Sequence, residues 1–391
     1  MSVGAAAPAP GAPPAVPPEQ RVTALELFFD LVFVFAITQV TGFVSAHPDW
    51  TRLAEGMAIL TMLWWAWGCY AWLGNNAASD DGLFRVALLS AMAAMLVVAI
   101  AVPHAFGKDA VAFGAAYCVV RILHIAAYVV LARPDPALRA AVAGLARSMI
   151  PVGLLLLTAG LLHGPGRTAC WVAAIVIDVG GLWLFGVDGW RVEAGHLAER
   201  YSGILIIALG ESIVALGVGA EGLPLHAGLI GGVLLGITVA AALWWAYFDV
   251  VALVAQRRFS RATGRDRVLI ARDSYTYLHL PMVAGIILFA LGVKKTLAHI
   301  SDPLETVPAV GLCGGVALYL VALVAFRLRN VHRLNVARLI AAAALVVLIV
   351  PARHADALLT LGLTAAVMVA PLAYERVRYH DLRRRLRRQL T

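Results

Sequence analysis

Charge is what this chain has least of. Only 14% of its 391 residues are Asp, Glu, Lys or Arg, against about 25% in soluble domains, while 61% are apolar against roughly 45–50%. Such a chain has no charged surface with which to stay in water, so a soluble fold is excluded. Cysteine is also sparse: Cys69, Cys118, Cys170 and Cys313 stand singly inside apolar runs, a pattern that supports neither a disulfide framework nor a thiolate metal site. No Walker loop, HExxH or GxSxG occurs. The string Gly217 to Gly222 fits the dinucleotide fingerprint in its letters, yet it ends an apolar run and no strand precedes it. His104, His163 and His299 lie near loops, so the facing histidines that a buried haem requires are not in view. No cofactor and no metal site is expected. Residues 1–20 are Ala, Pro and Gly with one glutamate, without the basic start and apolar core of a cleavable signal, and read as a disordered cytoplasmic tail.

What fills the space left by charge is a series of long apolar runs, and the mean hydropathy is +0.84. They fall near residues 25–45, 52–73, 82–102, 109–131, 137–162, 168–188, 200–219, 225–250, 274–298, 308–328, 334–351 and 355–374. This is the pattern of an all-α polytopic membrane protein with about twelve transmembrane helices. Most of the 31 Lys and Arg lie in segments that share one side if the N-terminus is cytoplasmic, notably 257–272, 327–338 and the end of the chain. The positive-inside rule then expects a multipass protein of the cell membrane with both termini in the cytoplasm and an even number of spans. The net charge of +8 and the pI of 9.6 follow from the same loops. The tail RRRLRR (Arg383 to Arg388) suits anionic lipid headgroups rather than nucleic acid. The lipid bilayer is the expected partner, and a homo-oligomer is left open.

The chain also repeats itself. Leu63-Trp64-Trp65-Ala66-Trp67 matches Leu243-Trp244-Trp245-Ala246-Tyr247 at an offset of 180 positions, and Asp30 matches Glu211 at 181. Six runs separate the equivalents, which implies two parallel six-helix repeats, 21–190 and 191–375, between the tail 1–20 and a basic cytoplasmic tail, 376–391.

Against so apolar a background each buried ionisable residue is a candidate, because a charge at mid-helix costs roughly 2.5–3.5 kcal/mol on insertion scales. In the first run Thr23 and Glu26 have the spacing of a capping box, a structural role. Asp30 lies four residues beyond Glu26 on the same face, too deep for a cap to explain. Glu211 is eleven residues past Arg200, about 16 Å along a helix and near the middle of a ~30 Å hydrocarbon core. Gly203, Gly210 and Gly217 recur on its helix as a seam that would admit a close neighbour. Arg121, with His124 on its face, and Asp178 also fall at mid-run, and Arg121 is expected to pair with Glu211 or with Asp178. Asp249 and His279, with Asp30, would line a cytoplasmic vestibule leading to Glu211.

The words ELFFDLVFVFAITQ (Glu26 to Gln39) and ALGES (Ala208 to Ser212) resemble those of the bacterial low temperature requirement protein A family, over nearly the whole chain after the first twenty residues. The resemblance implies a multipass membrane protein named for a growth phenotype, with no substrate or reaction attached. A weaker likeness is to potassium channels whose six-helix repeats each open with an arginine, a short spacer and Phe-Ser-Asp; Arg21, Phe29 and Asp30 are the comparable positions, with the serine absent and the spacer longer. Three functions are compatible with these residues. A transporter or channel for protons or small cations uses the repeat and the buried carboxylates together. A membrane-embedded enzyme acting on a lipid-linked substrate lacks a recognisable nucleophile or metal set. A structural or sensory protein for low-temperature adaptation needs no chemistry at all.

Overall fold

A computed structural model describes residues 21–76, 82–184 and 186–378. The expected tail 1–20 and the arginines 383–388 lie outside the described residues. Every apolar run becomes a helix, and the described residues hold no strand beyond one isolated bridge between Pro303 and Asp356.

The first six helices are α1 (Ala24–Ala46), α2 (Trp50–Asn76), α3 (Gly82–Ala101), α4 (Ala110–Leu131), α5 (Pro136–Leu161) and α6 (Pro165–Leu184). Then follow α7 (Ala194–Ala220), α8 (Ala227–Phe248) and α9 (Val251–Arg261). Next, α10 (Gly264–Ile270) runs through a π-helical stretch, Ala271–Tyr277, into α11 (Leu278–Ala298). A single turn, α12 (Thr306–Ala309), passes through a second π stretch, Val310–Gly314, into α13 (Gly315–Val331), and α14 (Val336–Ala352) and α15 (Ala357–Arg378) end the bundle. Local chemistry sets the starts. Thr23 and Glu26 form a reciprocal capping box on α1, with the Glu26 amide donating to Thr23 Oγ1 at 3.3 Å and the Thr23 amide to the Glu26 carboxylate at 3.0 Å. Asp135 and Glu193 cap α5 and α7. The first π stretch precedes Pro281, which has no N–H to continue the α-helical ladder.

Among the described residues ten helices are long and apolar enough to cross a membrane, with α8–α9, α10–α11 and α12–α13 each counting as one. Two helices fall outside that set. The 27-residue α2 is long enough but dilutes its apolar residues with five tryptophans and a charged first turn, and α14 has 17 residues. The lipid-like exterior is plain from side chains such as Val176, Leu184 and Val347, each more than 60% exposed and none tolerable in such numbers on a water-facing surface.

Neighbour relations are alike in the two halves. In the first, α1 packs on α2 and α3, α3 on α4, α4 on α5, α5 on α6, and α2 on α6. In the second, α7 packs on α8 and α11, α11 on α13, α13 on α14, α14 on α15, and α8 on α15. The halves meet where α1 and α2 contact α7 and α11. Glycine permits the closest approaches: a Cβ on Gly114 would stand 2.5 Å from the Leu156 carbonyl oxygen of α5, and one on Gly292 of α11 would stand 2.3 Å from the Leu312 nitrogen. The expected seam on α7 is corrected. A Cβ at Gly203, Gly210 or Gly217 would meet nothing within 4 Å, so these glycines admit no neighbouring helix, and Glu211 is buried from its other side by α1 and α11.

Candidate functional site

Five polar residues of α1 form one stripe along the helix: Glu26, Asp30, Thr38, Thr41 and Ser45, with Gln39 off it. Against its first two turns lies a matching pair on α7, His196 and Arg200, also four residues apart. Arg200 donates to Asp30 Oδ1 at 2.8 Å, and His196 Nε2 lies 3.1 Å from Glu26 Oε2. Trp67 of α2 donates a second hydrogen bond to Asp30 Oδ1 at 2.9 Å, and the Arg200 guanidinium sits 5.8 Å from its ring centroid. Asn75 is oriented by the Glu193 amide, which donates to its Oδ1 at 2.8 Å, so its Nδ2 faces and donates to His196 Nδ1 at 3.2 Å. The His196 hydrogen therefore sits on Nε2 and points at Glu26. All six side chains are buried, yet Glu26 Oε1 and Arg200 Nε and Nη1 have no hydrogen-bond partner. Glu26 is thus more than the cap that spacing suggested. A Cβ on Gly74 would lie 2.4 Å from its Oε1, so this glycine makes room for the carboxylate.

Two to three turns further along, α7 returns the favour. Glu211, 3% exposed, accepts a hydrogen bond from Thr38 Oγ1 at 2.5 Å. The next hydroxyls of the stripe, Thr41 and Ser45, continue from there; Lys294 of α11 donates to Ser45 Oγ at 3.1 Å and lies within electrostatic reach of Glu211. Contacts Glu26–His196, Asp30–Arg200 and Thr38–Glu211 succeed one another in the same order on both helices, so α1 and α7 run in the same direction. Between the two polar levels lie buried Phe33, Ile37, Ile204, Leu205 and Ala208, an apolar layer.

Arg121 pairs with Asp178, the second of its two expected partners, and not with Glu211. The pair joins α4 to α6. Arg121 Nη1 also reaches Cys69 Sγ at 3.1 Å, and the Tyr117 hydroxyl lies 3.4 Å from Asp178 Oδ2. His124, on the same face of α4, places Nε2 2.9 Å from the Cys69 carbonyl oxygen.

Asp30, Asp249 and His279 do not line an open vestibule; each is 7% exposed or less. His279 fills a cage of Tyr201, Tyr247, Tyr275 and Phe326, with Nδ1 on the Ser274 carbonyl at 3.0 Å and Nε2 facing the Tyr247 hydroxyl at 2.9 Å. The π stretch frees carbonyls of this kind: Trp64 of α2 donates to the Thr276 carbonyl at 2.9 Å.

Two arginines that look like loop charges in the sequence are core residues. Arg200 is one. Arg338 of α14 is the other, donating to Glu375 from Nε at 2.9 Å and from Nη2 at 3.0 Å, and to the Ala246 carbonyl at 3.1 Å, with Asn335 adding a bond to Glu375 at 2.7 Å. The signal for Arg200 was present: His196 and Arg200 repeat the i, i+4 spacing of Glu26 and Asp30, as facing helices in parallel register would require. Arg338 carries no such mark, since Glu375 is 37 residues away.

Among the described residues no group of three or more His, Cys, Asp or Glu is placed to hold a metal ion. No solved structure matches this chain. An uncharacterized protein of Rhizobium meliloti (strain 1021) is 30% identical over 291 residues, covering 70% of this chain and 69% of that one. Residues 21–373 match the family described as bacterial low temperature requirement A protein, and with its all-helical, many-spanning architecture the chain belongs to that family.

Proposed function

We propose that this protein moves protons or small cations across the membrane along the α1–α7 interface, with Glu211 as the residue that holds the cargo. One observation carries the reading: Glu211 is a deeply buried acid that leans on a threonine hydroxyl, whereas Glu26, Asp30, Asp178 and Glu375 each face an arginine or histidine. A buried carboxylate with no cation hydrogen-bonded to it, and Lys294 only within electrostatic reach, calls for a proton or a cation. The hydroxyls of Thr38, Thr41 and Ser45 would replace the water such an ion sheds. The Glu26–His196–Arg200–Asp30 level would be the opposite gate, closed here by its ion pairs, and the apolar layer between Phe33 and Ala208 would keep the two levels from being open together.

The same reading takes the chain as two parallel repeats. The like neighbour relations of the halves support this, as does the common direction of α1 and α7, which calls for an even number of crossings from α1 to α6 and so makes α2 one of them. The short α14 crosses as well, because Arg338 near its start pairs with the end of α15 while the Ala352 carbonyl at its other end accepts from Leu304 at 3.3 Å, on the side where α15 begins. With twelve crossings both termini lie on one side, the cytoplasm of the cell membrane, where the basic loops meet anionic lipid. Purified protein in liposomes loaded with a pH-sensitive dye should dissipate an imposed proton or cation gradient. Liposomes that stay as tight as protein-free ones, with each of protons, sodium and potassium, would remove transport in favour of a structural role.

A further inference from the structure

Between α2, α4, α5 and α6, with α10 and the π stretch before α11 along one side, is a narrow, partly open cavity of about 50 Å³. A volume of that size takes a few water-sized groups, not a lipid or a cofactor. Four large aromatic side chains stand in its walls. Trp65 and Trp72 come from α2, Tyr128 from α4 and Trp190 from the turn before α7. Two acceptors complete it. His124 is 1% exposed; because its Nε2 lies 2.9 Å from a carbonyl oxygen, which only accepts, the hydrogen is on Nε2 and Nδ1 of the neutral ring offers a lone pair. That Nδ1 has no partner in the protein, and a buried nitrogen so left is costly unless something donates to it. Asp178 is the second acceptor: Arg121 takes its Oδ1, while Oδ2 meets the Tyr117 hydroxyl at a long 3.4 Å.

The cations at the wall are engaged elsewhere. Arg121 pairs with Asp178, and Arg272 has its Nε on Asp273 at 2.7 Å, an acid it shares with Arg329 at 3.2 Å, and its guanidinium 3.8 Å from the Trp183 ring centroid. The open positions at the wall are His124 Nδ1, the Tyr128 hydroxyl and π faces, which suit a small group rich in N–H donors and carrying positive charge. We propose that this cavity is a binding site for a small primary ammonium ion, ammonium or methylammonium, held by His124 Nδ1, Asp178 and the indole faces. Nothing in the α1–α7 path is needed for it, so it stands whether or not that path conducts.

The test is a thermal melt of the full-length protein in detergent near neutral pH, with methylammonium chloride titrated against potassium chloride at equal ionic strength. The melting temperature should rise saturably with methylammonium and stay flat with potassium, and tetraethylammonium, too large for the cavity, should behave as potassium does. Tryptophan emission should change over the same concentration range. His124→Phe keeps the ring and removes the acceptor, and should weaken methylammonium at least tenfold. Should that variant fail to fold, Leu145→Trp, which fills the cavity from α5 without touching the ion pair, should do the same. Equal shifts with potassium, no shift with methylammonium, or undiminished binding in the folded variant would each overturn the assignment.

Discussion

Each half of the molecule buries an arginine against an acid, and the two pairs are finished to different degrees. In the second half Arg338 and Glu375 meet through two parallel hydrogen bonds, and Asn335 and the Ala246 carbonyl take up further valences. In the first half Arg121 meets Asp178 beside a cavity, with Arg121 Nε and His124 Nδ1 unpartnered. A buried network with its hydrogen bonds made repays its desolvation and fixes helices in place; one with orphaned atoms pays without full return and stays because something else uses it. The second-half pair is a lock between α14 and α15. The first-half pair forms a wall of the proposed ammonium site.

The largest effect follows from that contrast. Arg338→Ala takes from buried Glu375 the arginine that meets it through two hydrogen bonds and should cost roughly 3–5 kcal/mol, seen as a large fall in melting temperature in detergent. The double change Arg338→Met with Glu375→Leu should recover most of it. Arg121→Ala should cost less than Arg338→Ala, since the Tyr117 hydroxyl and the adjacent cavity can partly solvate Asp178; the reverse order would break the comparison.

A smaller effect sharpens the likeness of the halves instead. Gly292→Ala in α11 and Gly114→Ala in α4 each push a methyl into neighbouring backbone and should cost about 1–3 kcal/mol, whereas Gly210→Ala, with nothing within 4 Å, should be neutral or slightly stabilising by the same melts. The smallest is Thr23→Ala, which removes one cap bond from α1 and should cost about 1 kcal/mol while leaving ion pairing at Asp30 intact.

Helix positions were legible in the sequence because a run of about twenty apolar residues between charges has one way to be satisfied in lipid. The Arg121–Asp178 pair was legible in part, from depth alone: two opposite charges in mid-run must each find a partner. Counting basic residues near run ends assigns Arg200 and Arg338 to loops; the i, i+4 spacing of His196 and Arg200 marks the first as inward-facing, but nothing near Arg338 does, because whether such a residue snorkels out or turns inward depends on a partner distant in sequence. The vestibule expected of Asp30, Asp249 and His279 failed for a related reason. A shared height in the membrane does not put side chains around one space, and here the aromatic cage from α7, α8, the π stretch and α13 encloses His279.

The central claim, that Glu211 holds the cargo on the α1–α7 path, is tested most directly by reconstituting Glu211→Gln beside the parent protein and following the decay of an imposed gradient. Glutamine keeps the shape and can still accept from Thr38, so the fold should melt within about 1 kcal/mol of the parent while flux falls at least tenfold. A variant that folds normally and conducts like the parent would contradict the account.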